Sequence, residues 1–455
     1  MLRKFSGPIG SFEFIKKDAP KTFEDNNFTI IVGKNGTGKS RLLRSIATEL
    51  ISEKVPTKFF LRDEIASLQA PKSGSLQLDR IPQKIICVST SPFDKFPLPR
   101  RDYFGGMYSY LGLRGLPSTN LGLAYMSKIV FSLISGAAKS IEQARSISGV
   151  LNYLGYSGEI TIILHLPARR LLDEFISSKN PAGVIEEHLK RPAIYAPDTS
   201  GHLRHLLELE TPRLEKIVEA TKRLLDTSQK SKLEINISAK GISLNSGLAI
   251  DFEDALLVAT SGLLRLREVL LYKRDIIKPI RFSETSSGEQ SVVMSLLGIG
   301  SQIQDHALIC IDEPEICLHP EWQEKYIELL FHTFKNHKNC HFIIATHSPQ
   351  IVAQIPDGNC YVMSMSSGIA RHAREFTHRS IDFQLAEVFN APGYKNEYLS
   401  RIALNAFAKV SKNKHFDKES KKTLIILQKS LRELKDSDPL KELICALEGM
   451  ASKYD

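Results

Sequence analysis

The chain has 455 residues, 42% hydrophobic and 24% charged, with a formal net charge of +9. That length supplies two or three lobes with their own cores, so no disulfide or metal staple is required, and the composition matches a soluble protein. No run approaches the roughly 18 consecutive apolar residues of a membrane span, and the start MLRKFSGPIGSFEF turns polar and Gly-rich before a signal core could form.

The expectation is therefore a cytoplasmic protein with no membrane partner. Charge spread this thinly is a weak pointer to nucleic acid and leaves DNA contact open. Six cysteines without a C-x-x-C spacing read as reduced and structural, with Cys87 and Cys310 inside apolar runs.

The first predicted strand, Phe28 to Val32, runs directly into GKNGTGKS and then an amphipathic helix. Gly33, Lys34, Asn35, Gly36, Thr37, Gly38, Lys39 and Ser40 are the candidate phosphate loop. Glycines let backbone N–H groups wrap a phosphate, and the helix N-terminus adds positive potential. Lys39 would neutralise β- and γ-phosphates, and the Ser40 hydroxyl would ligate Mg²⁺. A second apolar run, Ile85 to Val88, is followed by STSPFDKFP.

From about residue 100 to 279, helical patterning dominates, as at Ile185 to Leu189, Leu203 to Leu209, Leu214 to Leu225 and Leu263 to Tyr272. No apolar heptad persists over three repeats, which argues against a long coiled-coil arm. His202 and His205 are spaced for one helix face but lack a third ligand, so they read as packing or surface residues.

FSETSSGEQSVVMSLLGIG then places Ser286, Ser287, Gly288 and Glu289 at an anion-ready helix start, although a simple N-cap explains Ser286 equally well. Next, ALICIDEPE ends a third strand, Ala307 to Ile311, with Asp312 and Glu313 at its carboxyl edge. Successive residues there point apart, so Asp312 can join a metal shell while Glu313 polarises a water. The stripe Trp322, Tyr326, Leu330 and Phe334 packs a helix on the sheet. His332, His337, Cys340 and His341 fit no common zinc spacing. After the fourth strand, His341 to Ala345, comes His347, whose ring could donate to a γ-phosphate.

Two strands before residue 100 and two after 300 must share one sheet, so the class is α/β with a mostly parallel sheet and a large helical insert. Helical patterning around Leu399 to Val410 and Thr423 to Leu434 predicts a small C-terminal appendage. The expected divisions are 1–99 and 280–379 for the two parts of the head, 100–279 for the insert and 380–455 for the appendage. Six lysines between Lys409 and Lys422 read as a solvated surface.

In order, GKNGTGKS, SSGEQ, LICIDEPE and His347 resemble Walker A, the signature motif, Walker B with its glutamate, and the switch histidine of ABC-type ATPases. The strings SSGEQ, DEPEICLHPEWQ and ATHSPQIV are similar to the soluble branch that includes OLD-family, RecF and SMC-like proteins. VSTSPFDKFP and the tail RSIDFQLAEVF…APGYKNEYLSRIA resemble, more narrowly, the PtuA ATPases of Septu and retron-associated anti-phage systems.

The resemblance implies ATP and Mg²⁺ as ligands. It also implies a head-to-tail homodimer, with higher assembly open, in which Ser287 and Gly288 of one copy meet the γ-phosphate held by the other. A PtuB-like HNH nuclease would be the effector. The alternatives are a RecF- or SMC-like repair ATPase, an OLD-type nuclease in its own right, and a nucleotide-bound scaffold. Glu289 stands where transporters have a second glycine, and Ser89 to Ser91 stand where a Q-loop glutamine would be.

Overall fold

The computed structural model describes residues 1–16, 25–52, 54–70, 74–100, 106–116, 121–190, 203, 206–207, 209, 211–227, 232–244, 251–261, 263–273, 276, 278–316 and 318–454. His202, His205 and Cys317 lie outside them.

Strands are numbered along the chain. A small antiparallel sheet holds β1 (Leu2–Gly7), β2 (Gly10–Glu13) and β4 (Ser75–Leu78). The central sheet contains β3 (Asn27–Val32), β5 (Lys84–Ser89), β6 (Tyr108–Gly112), β12 (Ala307–Asp312), β13 (His341–Thr346), β14 (Cys360–Ser364) and β15 (Ala370–His372). Its order is β15-β14-β3-β13-β12-β5-β6, and every pairing is parallel except that of β15 at the edge.

All four predicted strands are present as β3, β5, β12 and β13. Their register aligns Asp312 with Ser89 and Ala345, and Thr346 with Val32. Four chain segments therefore leave the sheet at one carboxyl edge, where open parallel sheets bind ligands.

Because strand side chains alternate, the sheet builds two cores. Phe28, Ile30, Ile86, Ile309, Phe342 and Ile344 face the insert, whereas Ile31, Ile85, Cys87, Cys310, Ile343 and Ala345 face the P-loop helix (Lys39–Ile51) and the small sheet. On the first face Phe342 stacks on Phe28 with centroids 4.6 Å apart and also contacts Phe334. Phe342→Ala should cost about 3–5 kcal/mol, the range for deleting a buried aromatic side chain. Denaturant unfolding followed by far-UV circular dichroism checks this, with an unchanged midpoint counting against it.

The insert carries the helices expected at Ile185 to Leu189 and Leu214 to Leu225, as Pro181–Lys190 and Thr211–Thr227, while Leu203 to Leu209 lies partly outside the described residues; it also holds a five-stranded antiparallel sheet that patterning did not reveal. Its strands are β7 (Tyr156–His165), β8 (Lys232–Ser238), β9 (Gly241–Leu244), β10 (Arg265–Lys273) and β11 (Ile280–Arg281), in the order β11-β10-β7-β8-β9. Leu263 to Tyr272, expected as a helix, mostly forms β10. There Leu266, Val269 and Leu271 are buried, and a register shift between Leu266 and Glu268 breaks the strict alternation that would have marked a strand. β6 lies past residue 99 yet belongs to the head sheet.

The helix Leu121–Lys139 is long and apolar enough to cross a membrane by composition. Here its Ile129, Val130, Leu133 and Ile134 are buried in the core shared with the insert sheet.

Three C-terminal helices, Glu397–Asn413, Lys418–Leu431 and Pro439–Tyr454, enclose a separate core of Leu399, Leu427, Ile444 and Leu447. Lys409 pairs with Asp417 and Glu419, so that part of the basic stretch is locally neutralised. Lys34 reaches Glu433 at 2.6 Å, joining this unit to the P-loop.

Candidate functional site

The loop Gly33–Ser40 follows β3 and opens the P-loop helix. Gly36 has φ 77° and Gly38 has φ 96°, values that other residues adopt only with strain. At Gly33 a Cβ would sit 2.8 Å from Thr37 Oγ1, so the close turn needs its absence. The helix N-cap is Gly38 and no side chain caps it, which leaves the first N–H groups free to receive an anion.

Lys39 is 4% exposed, and its Nζ donates to Gly33 O at 3.0 Å and contacts the His347 ring. Burial lowers its pKa, against the opposing fields of Glu313, Glu315 and Asp312.

Ser40 Oγ donates to Asp312 Oδ1 at 3.1 Å, although 272 residues separate them. A hydroxyl and a carboxylate side by side are oxygen donors suited to Mg²⁺. Asp312 is buried at the end of β12. Burial pushes its pKa up to about 7, with the Ser40 hydrogen bond opposing and Glu313 and Asp94 adding to the rise.

A raised acid pKa penalises the folded state above pH 7, and the penalty is relieved as pH falls from 7 toward 4. The nucleotide-free protein should therefore gain stability from this group on acidification through that window, and Asp312→Asn should remove the gain. Thermal melts of both proteins at pH 6 and 8 test this; parallel pH profiles would count against it.

Glu313 follows in a left-handed conformation, φ 49°. Its N–H donates to Ala345 O at 2.9 Å and its carbonyl accepts from Thr90 Oγ1 at 3.1 Å, so both neighbouring strands hold the strained residue. Its carboxylate lies 3.6 Å from His347 Nε2. Burial, then the Lys39 charge, lowers the His347 pKa to about 4, so the ring is neutral at physiological pH.

Thus Lys39, Ser40, Asp312, Glu313 and His347 meet at one sheet edge. The signature segment does not join them. Ser286 caps the helix Ser287–Gly300 by accepting from Glu289 N at 3.3 Å, Ser287 is exposed, and Gly288 is buried. Glu289 accepts from Tyr156 Oη at 2.5 Å, which ties the signature turn to β7. Among the described residues no hydrogen bond links Ser286, Ser287 or Glu289 to the P-loop.

The residues 169–353 match the family model described as "AAA domain, putative AbiEii toxin, Type IV TA system". That stretch takes in the signature, Asp312, Glu313 and His347, and begins after the P-loop. A "Retron Ec83 probable ATPase" of Escherichia coli is 26% identical over 180 residues, which is 34% of this chain and 32% of that relative.

Among solved structures, a nucleotide-free ATP-binding cassette from an ABC transporter aligns over 81% of this chain and 90% of its own at 13% identity, TM-score 0.23. The Smc head domain with ScpA from Pyrococcus furiosus aligns over 81% and 95% at 12% identity, TM-score 0.27. The chain has the head fold of a P-loop ATPase. Its marks are the parallel sheet order, the uncapped loop after β3 and the Ser40 to Asp312 contact.

Several residues named in the sequence only as part of a string have contacts that the string did not reveal. Thr90, within Ser89 to Ser91, donates its hydroxyl to the Glu313 carbonyl. Ser89 and Ser91 shape the same turn, with Ser91 N donating to Ser89 Oγ at 3.1 Å. Glu315, two residues past Glu313, accepts from Thr346 Oγ1 at 2.9 Å and His347 N at 2.5 Å. The second Glu of DEPE was a visible signal.

The histidine-cysteine cluster is dispersed. His341 bonds Leu2 N and Thr29, His337 lies by Asp305, and Cys340 donates to Gln304 O. Among the described residues no group of three or more His, Cys, Asp or Glu could hold a metal.

Proposed function

We propose that this protein binds Mg·ATP at Gly33 to Ser40, hydrolyses it, and acts as the nucleotide-driven switch of an anti-phage defence complex whose effector is a separate HNH nuclease. The observation that carries the ATPase part is the convergence of Lys39, Ser40, Asp312, Glu313 and His347 on one sheet edge. Backbone N–H groups and Lys39 hold the phosphates, Ser40 and Asp312 hold the metal, and Glu313 orients the attacking water. Mg²⁺, when bound, supplies charge neutralisation at the β- and γ-phosphate oxygens. The neutral His347 ring offers a hydrogen-bond donor toward the γ-phosphate.

The retron ATPase among the relatives and the toxin-type family match support the defence setting. The signature segment, exposed at Ser287 and apart from its own P-loop, supports completion of each site by a second copy. Charge-assisted bonds across that interface would form with ATP and vanish on hydrolysis, giving two states.

Purified protein should release phosphate from ATP only with Mg²⁺. It should shift from monomer to dimer with ATP in light scattering, and co-elute with an HNH protein expressed beside it. Ser287→Arg should leave ATP binding by the monomer within about threefold while abolishing the ATP-dependent shift, since it obstructs the interface and not the P-loop. Metal-dependent DNA cleavage by the lone protein would overturn the division of labour, and absence of turnover would overturn the ATPase reading.

A further inference from the structure

We propose that Glu315 is the positioning residue for His347: its carboxylate pins the segment after β13 to the Walker B loop and thereby fixes the imidazole beside Lys39 and Glu313. This rests on the ATPase reading above and adds a residue that the reading does not use.

The residue is partly exposed, but its carboxylate lies inward against β13, one oxygen accepting from Thr346 Oγ1 and the other from the His347 backbone N–H. Burial raises its pKa, opposed by these same hydrogen bonds. An inward carboxylate is costly unless its lone pairs are satisfied, and here the partners are two consecutive residues ending at the histidine.

Thr346 Oγ1 in turn accepts from Ser348 N at 2.9 Å, and Ser348 Oγ donates to Gln323 Oε1 at 2.7 Å. The turn carrying His347 is therefore held on both sides. Glu313 and Glu315 share one short loop. Glu313 N is fixed to Ala345 O and Glu315 to His347 N, so the 3.6 Å spacing between the Glu313 carboxylate and the imidazole is set by two links between the same pair of strands.

A bare loop staple would hold the backbone without consequence for chemistry. Here the held residue carries a ring in contact with the phosphate-loop lysine, so slack in the staple becomes displacement of a group at the reacting centre. A second possible role, charge balance for Lys39, makes a different forecast. Gln can keep both contacts, its oxygen toward His347 N–H and its amide toward the Thr346 hydroxyl, but carries no charge.

The test compares wild type, Glu315→Ala, Glu315→Gln and Thr346→Val, with Lys39→Ala as the inactive reference. Positioning forecasts that Glu315→Ala lowers kcat about 100-fold with KM for ATP within about threefold, and that Glu315→Gln stays within about threefold in both. Thr346→Val should fall between. Wild-type kcat in Glu315→Ala overturns the proposal, as does a Gln variant as slow as Ala, or a loss of kcat matched by an equal loss of ATP affinity.

Amide hydrogen exchange at His347 in the nucleotide-free proteins gives a readout independent of turnover. It should be slow in wild type and Glu315→Gln and at least about tenfold faster in Glu315→Ala. If wild type shows no turnover above Lys39→Ala, the ATPase reading fails by itself. Exchange then decides on Glu315, and equal rates in wild type and Glu315→Ala sink the positioning role. Should Glu315→Ala fail to fold, Glu315→Gln and Thr346→Val carry both readouts.

Discussion

Lys39→Ala is expected to weaken ATP binding at least about 100-fold, the loss of about 3 kcal/mol that follows from removing charge-assisted hydrogen bonds to phosphate. The nucleotide-free arrangement makes the effect larger than deletion of one cation in water. Lys39 is buried at the start of its helix and faces Asp312, Glu313 and Glu315, whose fields oppose the lowering of its pKa.

Removing the ammonium takes away the only one of these charged groups that attracts phosphate and leaves three carboxylates around the place where the phosphates must sit. It also frees the Gly33 carbonyl that the amine now holds at 3.0 Å, loosening the loop itself. Titration with a fluorescent ATP analogue measures the loss, and a thermal melt shows that the variant is folded. A folded Lys39→Ala protein with wild-type affinity would mean that the loop at Gly33 to Ser40 is not the nucleotide site.

Much of this site is legible in the sequence alone, because its parts are local. A glycine loop between an apolar strand and an amphipathic helix, or two carboxylates at the end of an Ile-rich strand, announce themselves within ten residues. The four strands that position them are fully buried runs with Gly or polar boundaries, and all four are found where expected.

What stayed hidden depends on contacts between distant segments. β10 has its alternation broken by a register shift, and its leucines fall by chance at helical spacing. β14 and β15 are short, and β6 lies inside what reads as insert. Glu289 looks like a phosphate-facing residue because its neighbours do, yet its carboxylate is claimed by Tyr156, 133 residues away. Thr90 and Glu315 lie inside the quoted strings VSTSPFDKFP and LICIDEPE, yet neither string says what they touch. Their importance comes from the register that places β5 and β13 on either side of β12, which no single stretch of sequence contains.

Glu313→Gln is expected to leave ATP affinity within about threefold of wild type and to reduce turnover about 100- to 10,000-fold, the range for loss of a general base. The case for separating binding from chemistry lies in how this residue is held. Its strained backbone, φ 49°, is fixed through its own N–H and carbonyl, to Ala345 and Thr90, and these contacts do not involve the side chain. Gln is nearly isosteric, so the loop, Asp312 and the P-loop should keep their places.

The change removes a negative charge 3.6 Å from His347 and so removes repulsion toward an incoming γ-phosphate, which is why affinity should hold or rise. It also removes the group that can polarise water. The variant should then accumulate in the ATP-bound state and, under the dimer proposal, remain a dimer in ATP long after wild type has returned to monomer. Phosphate release measured beside light scattering reads both consequences in one sample. Turnover at the wild-type rate would take the base role from Glu313. A variant that is inactive because it no longer binds ATP would show instead that the carboxylate serves the architecture of the loop.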